Sequence, residues 1–168
     1  MNFAKRFRKA SVILLILSFV LAWAIPTSAS EEGQDDNNEY IGIVIDQTNT
    51  ERVKNGSSGL AMNNELMKAA QLKAEDMAMK SYFSHTSPEG INPWHWFYEA
   101  DYKPRLAGEN LGLTYSKTSK LVNAWMNSET HKRNLLNNDF EDIGIGVAKG
   151  LYKGREVYFT VQLFGVEL

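Results

Sequence analysis

Three histidines and two carboxylates are the side chains of this sequence best suited to chemistry. His85 lies in the turn-forming run Ser84-His85-Thr86-Ser87-Pro88-Glu89-Gly90, His95 sits between Trp94 and Trp96, and His131 follows Glu129 by two residues. An imidazole titrates near neutral pH, so each can pass a proton or ligate a metal. A histidine in such a place also commonly does no more than hydrogen-bond its neighbours, and His95 reads that way, as part of a packed aromatic edge with Trp94, Trp96 and Phe97. Glu109 raises a sharper question. It stands between Gly108 and the apolar Leu111, where burial of a carboxylate is costly unless it is paired. A histidine partner would solve this. If the fold brings His85, Glu109 and His131 together, the group has the two-imidazole, one-carboxylate composition that binds zinc with a coordination position left open. Glu129 is a further candidate for the same cleft. Two residues apart, Glu129 and His131 point about 200° away from each other on a regular helix, so they share a site only where that helix is interrupted.

Other chemistries find no signature. The sequence contains no H-E-x-x-H helix, no G-x-S-x-G elbow and no glycine-rich phosphate loop of either common pattern. Ser84 and Ser87 beside His85 read as turn serines that bond their own backbone. There is no cysteine among the 168 residues, which excludes disulfides, thiolate zinc sites, a cysteine nucleophile and a lipid anchor on cysteine.

The elements that must position these groups follow from pattern. Lys5, Arg6, Arg8 and Lys9 precede a 14-residue apolar run from Val12 to Ile25, then Pro26-Thr27-Ser28-Ala29-Ser30. This predicts a secretory signal peptide over residues 1–29, cleaved after Ala29 or Ser30. The run is short of the roughly 20 residues that span a bilayer, so membrane contact is expected only through this segment if it stays uncleaved. Its removal takes away four of 18 basic side chains and none of the 20 acidic ones, leaving a net charge near −6. Nucleic acid is therefore not an expected partner. Residues 30–39 are acidic, with five carboxylates and no large apolar side chain, and predict a flexible linker. The remaining span, 40–168, is expected to be one domain. An exported chain without cysteine is most simply bacterial, and a Gram-positive source fits.

Within that domain, Tyr40 to Lys54 mixes alternation with helical spacing, and local propensity does not settle it. Asn63 predicts the cap of a strong helix, with Leu66, Ala69, Ala70, Lys73, Ala74, Met77, Ala78 and Ser81 on one face, ending near Phe83. The small residues of that stripe imply a close neighbour. Asn92-Pro93 predicts a short helix to Ala100, Ser119 starts another with Leu121, Val122, Trp125 and Met126, and a further turn covers His131 to Leu136. Ile143 to Val147 and Val157 to Phe164 alternate with period two across a Gly150–Gly154 turn, which predicts an antiparallel hairpin. Helices first and strands last make an α+β or layered sandwich domain, not an alternating parallel one.

Taken together these segments resemble the CAP superfamily, the SCP-like domain shared by cysteine-rich secretory proteins, insect antigen 5 and plant pathogenesis-related proteins. The resemblance runs from about Thr48 to Gly165 and is carried by Asn49-x-Glu51-Arg52, Ala74-Glu75-Asp76-Met77, Tyr82-Phe83-Ser84-His85-Thr86-Ser87-Pro88-Glu89-Gly90, Gly108-Glu109-Asn110-Leu111, Ala124-Trp125-Met126-Asn127-Ser128, His131-Lys132-Arg133-Asn134-Leu135-Leu136, Ile143-Gly144-Ile145-Gly146-Val147 and Gln162-Leu163-Phe164-Gly165. It implies an α-β-α sandwich, with a three-stranded antiparallel sheet between helical layers and a cleft of two histidines and two glutamates. His85 and Glu109 carry over directly. Bacterial members hold their second histidine in an S-P-G-H-R segment, matched by Ser128-Glu129-Thr130-His131-Lys132, which makes His131 the third member. Glu129 takes the place of the usual proline there. Trp125 is expected in the core.

The resemblance implies no common activity for bacterial members; with the absence of an activated nucleophile, it makes a secreted bacterial binding module at or outside the cell envelope the leading expectation, ahead of an enzyme. Its cleft would take a divalent cation, zinc before others, on His85, His131 and Glu109, or else a small apolar ligand; an envelope or protein partner is the remaining expectation. The alternative is a metal-assisted peptidase with Glu109 or Glu129 as general base. A third reading makes the Trp94–Trp96 region an exposed contact patch.

Overall fold

The computed structural model describes residues 28–168; the signal peptide expected over 1–29 lies outside them except for its last two positions. The first helix, α1 (Ser28–Lys54), runs straight through the acidic segment 30–39 that was expected as a flexible linker. Its carboxylates sit toward the helix N-terminus, where the backbone dipole favours negative charge, and Asp36 pairs with Lys117 at 2.5 Å. From Tyr40 onward the ambiguity resolves as helix, because Tyr40, Val44, Thr48 and Arg52 recur every fourth residue and are all buried.

The second helix, α2 (Asn64–Lys80), begins as expected. Asn63 is extended, and its side-chain Oδ1 accepts from the Leu66 N–H at 3.0 Å. It ends at Ser81, which adopts φ 55, earlier than the Phe83 expected. Three further helices follow, α3 (Pro93–Glu99), α4 (Lys120–Met126) and α5 (Glu129–Leu135).

The sheet departs from expectation. Four strands, β1 (Ala61–Met62), β2 (Pro104–Thr114), β3 (Asp142–Tyr152) and β4 (Arg155–Glu167), lie in the order β1-β3-β4-β2. The expected three antiparallel strands are β2, β3 and β4, but β1 adds a parallel partner to β3, so the sheet is mixed. With two residues, both exposed, β1 has no alternation to read; it exists because Ala61 N–H donates to Glu141 O at 2.8 Å and Asn63 N–H to Ile143 O at 3.1 Å. The Gly108-Glu109-Asn110 segment lies within β2. The expected hairpin closes through Lys153 (φ 50) and Gly154 (φ 76), the two left-handed residues that a tight two-residue connection demands.

Strand alternation divides the core in two. Leu111, Val157, Phe159, Val161 and Leu163 face α2 and α3, while Ile143, Ile145, Val147 and Phe164 face α1, α4 and α5. The α-β-α layering is therefore as expected. The neighbour implied by the alanine stripe is β3. A Cβ on Gly144 would lie 2.2 Å from the Leu66 carbonyl carbon, and one on Gly146 would lie 2.2 Å from that of Ala70. Trp125 is in the core at 2% exposure, with its Nε1–H donating to Leu111 O at 2.9 Å. Trp96 is buried and Trp94 half-exposed, so the expected tryptophan patch does not exist as a continuous surface.

Candidate functional site

Strand β2 is the outer strand of the sheet, so the helical layers of both faces can meet around its free edge. Glu109 points to the α2 side. There His85, in the loop after α2, reaches it, and His85 Nδ1 and Glu109 Oε1 are 2.5 Å apart. The pair joins a mostly exposed imidazole to a carboxylate whose side chain keeps only 6% of its exposure. Glu109 Oε2 is buried and has no hydrogen-bond partner among the described residues. The hydrogen bond to Glu109 raises the His85 pKa above its ordinary value, against the opposing effects of burial and of the Lys73 charge.

His131 approaches the same strand from the other layer, through its backbone carbonyl on Asn110. It sits on α5, with Nδ1 2.9 Å from Ser128 Oγ. Burial lowers its pKa, and the charge of His85 adds to that shift. The helix is tied to the strand by amides. Asn134 Nδ2 donates to Glu109 O and to Asn110 Oδ1, both at 3.0 Å, while Asn110 Nδ2 donates to His131 O at 3.2 Å and Gln162 Oε1 at 3.0 Å. Gln162 passes the chain on to Thr48 Oγ1 of α1 at 2.9 Å. At the far end of α5, the fully buried Arg52 donates to the carbonyls of Ser58, Leu135 and Asn137 at 2.7 to 2.8 Å, which satisfies backbone oxygens that a helix terminus leaves open.

Beneath His85 lies Lys73, fully buried on α2. Its Nζ donates to Tyr82 OH at 3.0 Å and to His85 O at 3.1 Å, and Tyr82 OH donates to Asp76 at 2.6 Å. Burial lowers the Lys73 pKa, and the charges of Glu109 and Asp76 oppose that shift. Lys73 thus fixes the His85 backbone and is a buried cation within the field of Glu109. Its signal in sequence was present: a lysine among Ala69, Ala70, Ala74 and Met77 on an otherwise apolar stripe.

His85 and Glu109 meet at this edge, and α5 brings the His131 carbonyl to Asn110 of the same strand, while Glu129 lies elsewhere on α5. With α5 regular from Glu129, the carboxylate turns to the opposite side, where it lines a cavity of about 490 Å³ with Lys132, Arg133, Leu136 and Asn137. His95 packs edge-on to Trp96, ring centroids 4.9 Å apart. Among the described residues no group of three His, Asp or Glu side chains is placed to hold a metal ion. The three-ligand centre expected on His85, His131 and Glu109 is not assembled among them; Glu109 Oε1 pairs with His85.

The two rings respond oppositely to pH. His85, raised, stabilises the fold below about pH 6.5 and loses that contribution as pH rises through its folded value; His131, lowered, stabilises above about 6.5 and loses it as pH falls through its folded value. A ¹⁵N NMR titration is expected to find His85 titrating above and His131 below the free imidazole; the reverse order would break the assignment of Glu109 as the partner of His85.

The model of the CAP family, described as the cysteine-rich secretory protein family, matches residues 45–164. The chain belongs to the CAP family. It is 35% identical over 125 residues to YkwD of Bacillus subtilis (strain 168), itself described as uncharacterized, covering 74% of this chain and 49% of that one. Among solved structures, an extracellular protein containing a SCP domain from Bacillus anthracis superposes with a TM-score of 0.64 at 30% identity, over 77% of this chain and 41% of that one. An outer surface protein from Borrelia burgdorferi gives 0.65 at 27% identity, over 77% of this chain and 94% of that one. The chain thus spans less than half of either Bacillus relative. Of the cleft that the resemblance implies, the contact present in this CAP domain is the His85–Glu109 pair. Among the described residues no helix of the CAP domain is long and apolar enough to cross a membrane.

Proposed function

We propose that this protein is a secreted, non-catalytic binding module whose cleft takes a divalent cation between the Nε2 atoms of His85 and His131. One observation carries this reading. Each ring is held from behind through Nδ1, His85 by Glu109 and His131 by Ser128, and that is how metal-binding histidines are oriented, the far nitrogen bonded to a second group and the near one left for the ion. Glu109 then acts behind His85 and not as a direct ligand. Zinc suits imidazole nitrogen, and two protein ligands leave the other positions to water or to an oxygen-bearing component of the envelope. A cation bound there would act as a Lewis acid and a bridge to that partner. Secretion is supported by the signal-like N-terminal sequence and by relatives described as extracellular and outer-surface proteins.

Thermal unfolding in zinc tests the reading. At about 100 times its Kd, zinc is expected to stabilise by about 2.7 kcal/mol, a rise in Tm of roughly 5–10 °C for a domain of this size. The His85→Ala, His131→Ala double variant should lose the protection, and Glu109→Gln should weaken zinc about 10- to 100-fold. Protection that survives the double variant removes the proposed site.

A further inference from the structure

A second concave surface lies on the same face of the sheet as Glu109. Gly150 of β3 packs against Ala78, two residues before α2 ends. Past that point the α2-facing side chains of the strands have no described helix above them. Leu113, Tyr115, Tyr152, Lys153, Arg155 and Val157 line a groove of about 360 Å³ there. The Arg155 guanidinium sits 5.9 Å from the Tyr115 ring centroid and donates to Tyr115 OH at 3.2 Å; Lys153 Nζ is 5.2 Å from the Tyr152 ring centroid. Tyr115 is 69% exposed.

The charge at this end is unbalanced. Lys149 pairs with Glu156 at 2.7 Å and Lys117 with Asp36 at 2.5 Å, whereas among the described residues Lys153 and Arg155 form no ion pair with a carboxylate. Two uncompensated cations on tyrosines, in a chain whose formal charge is −2, call for a ligand carrying isolated negative charges along an otherwise uncharged body. We propose that this groove binds an acidic glycan, a saccharide chain bearing carboxylate or phosphate groups. Tyrosine offers a sugar both an apolar face and a hydroxyl, and Lys153 and Arg155 meet its acid groups.

Other polymers fit less well. An extended peptide would add as a strand along the free edge of β2, but the Glu109 and Leu111 carbonyls on that edge are already taken by Asn134 and Trp125. Nucleic acid would meet net repulsion from the rest of the chain. The groove is also separate from the cleft. Leu113 is four residues along β2 from Glu109, about 13 Å, and the bridge between the two is Phe83, two residues before His85, which packs edge-on to Tyr152 at 6.4 Å.

The test is calorimetric titration of the secreted chain with an oligogalacturonate, a phosphodiester-linked oligosaccharide and a neutral maltooligosaccharide of equal length. At least one acidic glycan is expected to bind about tenfold or more tighter than the neutral one, with affinity falling as salt rises; whichever binds more tightly names the acid group. The exposed double variant Lys153→Gln, Arg155→Gln should lose that preference at unchanged Tm, and Tyr115→Ala should weaken both acidic ligands. The His85→Ala, His131→Ala variant should bind them as the parent does, which separates this groove from the cation cleft. Equal affinity for neutral and acidic chains, no effect of the Lys153/Arg155 substitutions, or equally tight binding of oligoglutamate would overturn the proposal.

Discussion

Replacing Gly146 by alanine is expected to cost about 3 kcal/mol or more and to lower Tm by roughly 10 °C. The added Cβ would lie 2.2 Å from the carbonyl carbon and 2.3 Å from the oxygen of Ala70, with the Gln71 nitrogen at 2.3 Å. These are backbone atoms of α2, so no side chain can swing aside. The helix would have to lift from β3, breaking the contacts of Leu66, Ala70 and Ala74, all fully buried. Because Lys73 sits on the same helix, the damage should reach the loop that carries His85. Gly42→Ala is the matching control. It lies inside α1 with nothing within 4 Å of a new Cβ, and the gain in helix propensity is worth about 1 kcal/mol. Thermal melts of the two variants decide the matter. A Gly146→Ala protein that melts within about 2 °C of the parent would mean that α2 is not seated on the β3 glycines.

Lys73→Met is expected to destabilise by about 1–3 kcal/mol, the range for leaving buried hydrogen-bonding groups without their partner. Methionine keeps most of the volume, so the loss is electrostatic and hydrogen-bonded in origin. Glu109 loses its buried cation, Tyr82 OH loses a donor, and the His85 carbonyl is left open. If Lys73 and Glu109 stabilise each other, Glu109→Gln in the Lys73→Met background should cost less than it does alone, by about 1 kcal/mol or more. Urea melts of the two single variants and the double variant close the cycle. Strict additivity would show that Lys73 holds only the loop and that the charge of Glu109 is compensated elsewhere.

Much of the scaffold was legible because it is written locally. The Asn63 cap, the alanine stripe of α2, the Asn92-Pro93 helix start and the alternation on either side of Lys153-Gly154 depend on residues within a few positions of one another, and backbone sterics and hydrogen bonding at that range leave few choices. The absence of cysteine and of nucleophile motifs likewise follows from composition alone. The α-β-α layering was implied by the resemblance to the CAP superfamily, since local pattern left an α+β or a layered sandwich domain open.

What needed the tertiary structure is what depends on distant segments meeting. Strand β1 has only two residues and no pattern, and is a strand solely because β3 offers it partners. The acidic segment 30–39 has no apolar face to announce a helix, yet it continues one. Sequence pointed to His85, Glu109 and His131 as a group; it could not assign Glu109 to His85 Nδ1, nor send Glu129 to another surface, because the first is a contact across 24 residues and the second depends on where α5 begins. Lys73 was visible as a lysine on an apolar face, but its purpose was not, since the carboxylate in whose field it lies is carried by a strand from another part of the chain. Pair geometry of this kind is set by the packing of whole layers, to which no local stretch of sequence is sensitive.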